Sequence, residues 1–153
     1  MQRDSISNNH SFKKTTTRTI QILMKKQLIN PWQWQDAMGY SQAVSISQSK
    51  DTLYCAGQAS MAATGAPVEG DMQQQLIQSL ENVKTVVTAA GYELSSIARL
   101  NFYTTSVPDF MGAYVGAMAW MKEHHINAAC TLLGVTALAF PQLLVEIEAT
   151  SHR

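Results

Sequence analysis

Hydrophobic positions along the chain follow two different spacings, and the changes between them mark the predicted elements. Apolar residues recur every three or four positions after Asp71 and again after Ser106, which predicts amphipathic helices ending near Gly91 and His124. Other segments alternate between apolar and polar residues in the manner of strands. These segments are residues 41–48, 52–57, 97–105, 131–136 and 143–150, and the first two form a predicted hairpin.

The predicted order of elements is therefore β-β-α-β-α-β-β. The economical α+β arrangement is a single domain with one mixed sheet and two helices on one face. The other sheet face is then uncovered, although 46% of the 153 residues are hydrophobic and only 14% are charged. We expect that face to be buried against copies of the same chain, most simply in a closed ring.

Charge separates the start of the chain from the rest. Residues 1–26 hold six basic side chains and one acid, and since the whole chain is neutral, residues 27–153 carry a net charge of −5. We interpret residues 1–27 as a basic polar extension and residues 28–153 as the folded domain. The extension is rich in Ser, Thr and Asn, so both a transit peptide and a plain extension, with Met24 as an alternative start, stay open.

Composition excludes several classes of protein. The apolar stretch near residues 137–145 is far shorter than the roughly 20 residues that span a bilayer. The two cysteines, Cys55 and Cys130, form no CxxC motif and no Cys/His cluster, and the adjacent His124 and His125 would point apart on a helix. We therefore predict a cytoplasmic protein with no metal, no cofactor and no membrane partner. A neutral chain also argues against a nucleic-acid partner.

Five segments carry a resemblance to a known family. They are GYSQAV at 39–44, CAGQ at 55–58, QSLENVKTVVTAAG at 78–91, SVPDF at 106–110 and VEIEA at 145–149. In this order, and over about residues 38–150, they resemble the reactive intermediate deaminase (Rid, or YjgF) family. The resemblance implies a chorismate-mutase-like fold and a homotrimer with three clefts at the subunit interfaces. The best-known members hydrolyse 2-imino or enamine acids to 2-keto acids and ammonia; older labels include endoribonuclease.

The resemblance also implies a set of site residues. Tyr40 matches a tyrosine that borders the cleft, and Ala56 and Gly57 match a substrate-binding Ser-Gly pair whose serine is lost here. Glu146 matches the glutamate proposed to position the attacking water, a role that needs a carboxylate within hydrogen-bond reach of that water. Thr131 lies in the segment that should line the ligand, directly after Cys130.

One departure from the family pattern concerns an arginine. Deaminating members carry an arginine that clamps the substrate carboxylate, where this chain has Cys130 or, in a register shifted by one, Ala129. No arginine lies between Arg99 and Arg153. Removing one partner of a buried charge pair costs about 2–5 kcal/mol. The chain therefore resembles an arginine-less branch, and its favoured substrate should lack that carboxylate or place its charge elsewhere.

Several side chains have two interpretations. Cys130 is either a buried small hydrophobe or a thiol that lines the ligand pocket. Three residues before the first strand either form an aromatic wall of the cleft or pack as ordinary apolar residues. They are Trp32, Trp34 and Met38. One of Phe102 and Tyr103 should face the cleft or the core. The functions that compete are a hydrolase of a reactive imine or enamine and a non-catalytic, metabolite-binding trimer, with a ribonuclease less favoured.

Overall fold

The computed structural model describes residues 23–153, which form eight regular elements; residues 1–22 of the predicted extension lie outside the described residues. The elements are β1 (Lys25–Ile29), β2 (Ala43–Ser47), β3 (Thr52–Ala59), α1 (Met72–Ala89), β4 (Ile97–Thr104), α2 (Val107–Glu123), β5 (Ala129–Gly134) and β6 (Val145–His152). The fold is α+β, as predicted, and adds one strand at the start of the predicted order.

Four strands form a mixed sheet in the order β3-β6-β4-β5. Strand β6 is antiparallel to both of its neighbours, whereas β4 and β5 run parallel. Parallel neighbours need a crossover connection, and α2 provides it. The sheet therefore has β3 at one edge and β5 at the other.

Both helices begin where the sequence predicts. The Asp71 carboxylate accepts from the Gln74 amide at 2.8 Å, and the Gln74 side chain accepts from the Asp71 amide at 2.9 Å, which is a complete capping box. The Ser106 hydroxyl accepts from the Asp109 amide at the start of α2. After α1, Gly91 has a φ of 75°, the left-handed conformation that glycine adopts without strain.

The core lies between the helices and one face of the sheet. It is formed by apolar side chains that are fully shielded from solvent, among them Leu76, Leu80 and Val83 of α1, Phe102 of β4 and Ile147 of β6. Burying each such side chain stabilises the fold by about 1.5–3 kcal/mol. The face of the sheet opposite the helices, called the open face below, carries polar side chains and the exposed Tyr54.

The predicted hairpin between residues 41–48 and 52–57 is wrong in its pairing. Strand β2 pairs with β1 in a separate two-stranded sheet, and β3 pairs with β6. The turn at residues 49–51 hydrogen-bonds instead to Arg153 at the end of the chain, whose carbonyl accepts from the Lys50 and Asp51 amides. The turn thus connects the two-stranded sheet to the four-stranded sheet. The domain start that we predict at residue 28 lies inside β1.

Among residues 23–153, no helix combines the length and the apolar composition that crossing a membrane requires.

Candidate functional site

A carboxylate lies directly over bare backbone on the open face. Gly57 sits in an irregular part of β3, where the pairing with β6 shifts between Cys55 and Gln58. Its α-carbon faces the Glu146 side chain so closely that a β-carbon would overlap the carboxylate. Only glycine therefore permits this approach. The structure brings together Glu146 and Gly57 from the predicted site, with the exposed Ala56 beside them.

The two glutamates of β6 differ in their partners. Glu148 accepts hydrogen bonds from the Tyr103 hydroxyl at 2.8 Å and from the Asn101 amide at 3.3 Å. The hydrogen bond to Glu148, followed by desolvation and the carboxylate charge, raises the pKa of Tyr103. Within residues 23–153, the Glu146 carboxylate accepts no hydrogen bond from the protein, so it is available to a water molecule or a ligand.

An arginine does reach the predicted ligand segment, from a neighbouring strand. Arg99 of β4 pairs with Ala129 of β5, and its guanidinium donates to the Thr131 hydroxyl at 2.6 Å and to the Asn101 side chain at 2.8 Å. Sequence reasoning missed this contact because the two residues are 32 positions apart and only the parallel pairing of β4 with β5 joins them. Thr131 accordingly faces the open side of the sheet.

Cys130 faces the opposite side, toward the helices. It pairs with the fully buried Leu100 and packs against the core. Its thiol is 3.7 Å from the Ala128 carbonyl. Burial raises the pKa of Cys130 to about 12, although the Arg99 guanidinium opposes the shift. The thiol is thus protonated at neutral pH, which argues against a nucleophile and favours a small apolar wall.

Tyr40 lies close to the start of β5. The neighbouring Ser41 amide donates to the Ala128 carbonyl at 2.9 Å, which holds residues 40 and 41 beside that strand. A cavity of about 170 Å³ is bounded by Tyr40, Cys130 and Thr131 together with Met38. The structure therefore brings together a second group of predicted residues, at the β5 edge of the sheet.

The three residues before β2 that could form a wall of the cleft differ in their positions. Trp32 and Trp34 are 57% and 64% exposed and stack on each other with ring centroids 6.5 Å apart. They do not line the 170 Å³ cavity, whereas Met38 does. On β4, Phe102 is buried in the core and lines that cavity, and Tyr103 faces the open side.

Within one chain, the group formed by Glu146 and Gly57 lies apart from the group formed by Tyr40, Cys130 and Thr131. Glu146 lies on β6, and Cys130 and Thr131 lie on β5, with β4 between them. Two strand spacings separate the backbones by about 10 Å. The Cys130 thiol also faces the side of the sheet away from Glu146.

Two side-chain amides of α1, one buried and one half-buried, hold the strands that carry Gly57 and Glu146. The Gln75 side chain accepts from the amide of Leu144, two residues before Glu146, at 2.9 Å, and it donates to the Gln142 carbonyl at 2.8 Å. The Asn82 side chain donates to the carbonyls of Ala59 and Met61 at 2.8 and 2.9 Å, and so fixes the end of β3. A helical pattern alone could not reveal these partners.

Comparison with known proteins decides the family. The model of the family described as endoribonuclease L-PSP matches residues 33–153. The chain belongs to this family, which is the Rid, or YjgF, family. A crystal structure of a Rid family protein of unknown function from Yersinia pestis is similar, with a TM-score of 0.75 and 34% sequence identity, over 84% of this chain and 98% of that one. The chorismate-mutase-like fold expected from the resemblance is thereby confirmed.

Relatives of this Rid-family chain carry two kinds of name. A RutC family protein from Pyrococcus horikoshii is 38% identical over 116 residues, which cover 74% of this chain and 86% of the relative. A 2-iminobutanoate/2-iminopropanoate deaminase from Salmonella typhimurium is 32% identical over 90 residues, which cover 59% of this chain and 70% of the relative. The family thus includes named deaminases.

Proposed function

We propose that the protein is a homotrimeric hydrolase of a small reactive imine or enamine, in which Glu146 positions the attacking water. The observation that carries the proposal is the contact of Glu146 with Gly57, which leaves a carboxylate on the open face with no hydrogen bond from another described side chain. A carboxylate in that state can accept a proton from water. The deaminase named among the relatives supports the same chemistry.

The reaction needs only water and proton transfer. The water oxygen adds to the carbon of the C=N bond while Glu146 takes a water proton and passes it to the nitrogen, so the double bond becomes single and an amino alcohol forms. The proton of the new hydroxyl group then moves to the nitrogen by way of Glu146, the C–N bond breaks, ammonia leaves and a carbonyl remains. An enamine enters the same route after a proton moves to its carbon and gives the imine.

The homotrimer would complete the site. The group at Gly57 and Glu146 and the group at Tyr40, Cys130 and Thr131 lie near opposite edges of the sheet in one chain. Packing one copy against the next in a ring would place one group beside the other. Light scattering should then give three times the 16.8 kDa mass of the chain, and a monomer would exclude an interface site.

The substrate should differ from the usual 2-imino acid. Residue 130 provides a neutral thiol at neutral pH, because burial raises its pKa to about 12, and a thiol cannot replace a bidentate guanidinium. A substrate that depends on a carboxylate clamp at this position should bind about 30-fold to several thousandfold less well, as about 2–5 kcal/mol implies.

Comparing Glu146→Gln with Glu148→Gln tests the catalytic role. Both changes remove a carboxylate from β6, but Glu148 is engaged by Tyr103 and Asn101. Imines without a carboxylate are generated in situ from a panel of primary amines by a flavin-dependent amine oxidase, and 2-imino acids are generated from the matching amino acids by an amino acid oxidase. Ammonia release is compared with the uncatalysed rate. We expect Glu146→Gln to lose about 100-fold or more in rate and Glu148→Gln to keep most activity. Equal activity of Glu146→Gln and wild type would contradict the proposal.

A non-catalytic metabolite-binding trimer is the second candidate. Alanine at residue 56 and cysteine at residue 130 replace the serine and arginine that the family resemblance implies at the ligand. This candidate predicts ligand binding with no turnover of any imine in the panel by the wild-type protein. A ribonuclease is less favoured, because residues 27–153 carry a net charge of −5 and nucleic-acid affinity depends on neutralising phosphates.

We place the protein in the cytoplasm. Both Cys55 and Cys130 are free thiols in the fold, as proteins of reducing compartments usually have. Co-fractionation with soluble cytoplasmic markers would test this location.

A further inference from the structure

The 170 Å³ cavity beside Cys130, called the Cys130 pocket below, has a position that links it to the candidate site. It lies between the first half of α2, which contributes Phe110 and Tyr114, and the start of β5, which contributes Cys130 and Leu132. Tyr40 and Thr131, both predicted to contact ligand, form part of its wall. On α2 its wall includes Met111, which is 45% exposed, so the pocket borders solvent there.

The wall of the Cys130 pocket carries no formal charge and little free hydrogen-bonding capacity. The Tyr114 hydroxyl donates to the Met38 carbonyl at 3.1 Å, and the Cys130 thiol points to the Ala128 carbonyl at 3.7 Å. Burial raises the pKa of both side chains, so both are neutral at pH 7. The rings of Phe110 and Tyr114 stack with centroids 5.6 Å apart. Apart from the hydroxyls of Tyr40 and Thr131, such a wall favours an apolar group.

The volume selects the size of that group. Apolar protein cavities of about 150 Å³ bind benzene. A methyl group would leave most of 170 Å³ empty, and atoms that line a void lose their dispersion contacts. A benzene ring or a branched four-carbon chain would fill the pocket.

We propose that the Cys130 pocket binds the apolar side chain of the ligand, and that the ligand is an imine or enamine with an aromatic or branched-chain side chain. The substrate class rests on the function proposed above, whereas binding of an apolar group does not. One methylene in an apolar pocket changes discrimination by about 10- to 200-fold. The imine derived from phenethylamine or isopentylamine should therefore be preferred over the imine derived from ethylamine by at least tenfold.

Binding to the pocket can be measured without turnover, with benzyl alcohol as a neutral ring probe. The probe is titrated into protein labelled with ¹³C at the methionine methyl groups. Met38 and Met111 line the pocket, so their signals report on it, and the methionines outside the wall are internal controls. We expect saturable shifts of these two signals; a wild-type protein whose two signals do not respond would overturn the proposal.

Two neighbouring leucines provide a matched pair of variants. Leu132 lines the pocket, whereas Leu133 is 52% exposed on the other side of β5. Leu132→Phe should weaken benzyl alcohol binding at least tenfold, and Leu133→Phe should leave it unchanged. Cys130→Ala enlarges the pocket and should shift the preference toward indole, which keeps the proposal testable even if Leu132→Phe fails to fold. Equal binding by folded Leu132→Phe and wild type would overturn the proposal, as would an unchanged preference in Cys130→Ala.

The substrate panel separates this proposal from the proposed function. Probe binding with no imine turnover would leave the pocket standing and refute the hydrolase. Turnover of the ethylamine-derived imine as fast as that of the phenethylamine-derived imine would support the hydrolase and refute the pocket as the subsite that selects the substrate.

Discussion

The α-carbon of Gly57 lies against the carboxylate of Glu146, across the pair of strands β3 and β6. A β-carbon at residue 57 would overlap three atoms of the glutamate side chain. This contact connects a backbone position of β3 to the side chain that we propose to position the attacking water. The position of the Glu146 carboxylate therefore requires that residue 57 has no side chain.

Gly57→Ala should therefore displace Glu146 while the chain keeps its fold. The backbone of Gly57 has no positive φ, so alanine adds no backbone strain, and the three atoms nearest to the added β-carbon all belong to the glutamate. A misplacement of about 1 Å can cost roughly 100-fold in rate, and we expect a loss of this order in imine hydrolysis.

Gly112→Ala is the matched control for that experiment. A β-carbon at Gly112, within α2, would meet no atom within 4 Å. Alanine is favoured over glycine in a helix by about 1 kcal/mol, so this variant should be slightly more stable and equally active. Full activity of Gly57→Ala would show that Glu146 need not lie where the fold places it.

Gln75→Leu should destabilise the protein although it replaces a polar side chain by an apolar one in the core. The change leaves the Leu144 amide and the Gln142 carbonyl without their partner, and each buried polar group left unpaired costs about 1–3 kcal/mol. We expect a loss of about 2–4 kcal/mol in the free energy of unfolding, measured by urea denaturation.

The neighbouring Gln73 allows the same substitution at an exposed position of α1. Gln73→Leu should change the free energy of unfolding by no more than about 0.5 kcal/mol. A similar loss in both variants would mean that the bonds of Gln75 to the loop before β6 contribute little.

What the sequence predicts well is local. The caps at Asp71 and Ser106 and the apolar spacing that follows them identify both helices, because these signals lie within one turn of the residues they affect. Strand β1 escaped prediction because its basic residues, Lys25 and Lys26, gave that segment the charge of an extension. The contact of Arg99 with Thr131 depends on the parallel pairing of β4 with β5, which no spacing along the chain reveals.

Cys130 should react slowly with alkylating reagents in the folded protein. Burial raises the pKa of its thiol from 9.0 to about 12, and the thiolate is the reactive form. At pH 8 the thiolate fraction is then about a thousandfold smaller than in the unfolded chain. Iodoacetamide labelling, followed by mass spectrometry of the Cys130 peptide, should be slow in buffer and fast in urea.

The same shift gives a pH dependence of stability with a definite sign. The folded protein favours the neutral thiol, so this contribution is complete below pH 9 and is lost as the pH rises from 9 toward 12. Cys130→Ala should lack that loss. Rapid labelling of native Cys130 at pH 8 would contradict both expectations and restore the nucleophile interpretation.

Lys26 should make the free energy of unfolding rise with pH, which is opposite to the effect of Cys130. Its ammonium group donates to the carbonyls of Ser95 and Ile97 at 2.9 and 2.6 Å, which holds β1 to the start of β4. Burial lowers the pKa of this amine from 10.5 to about 8. Between these two pH values the unfolded chain keeps a proton that the folded protein has released, so stability rises with pH across this interval.

Urea denaturation of wild type and Lys26→Met at several pH values from 7 to 11 isolates this effect. Subtracting the two curves removes the opposing contribution of Cys130, which both proteins share. The advantage of wild type over Lys26→Met should increase from pH 8 to about 10.5, because a neutral amine still has two N–H groups for its two carbonyl partners. Lys25→Met, at the exposed neighbour on β1, should keep the wild-type slope. Parallel curves for wild type and Lys26→Met would show that the amine stays charged in the folded protein and that β1 is held without desolvating it.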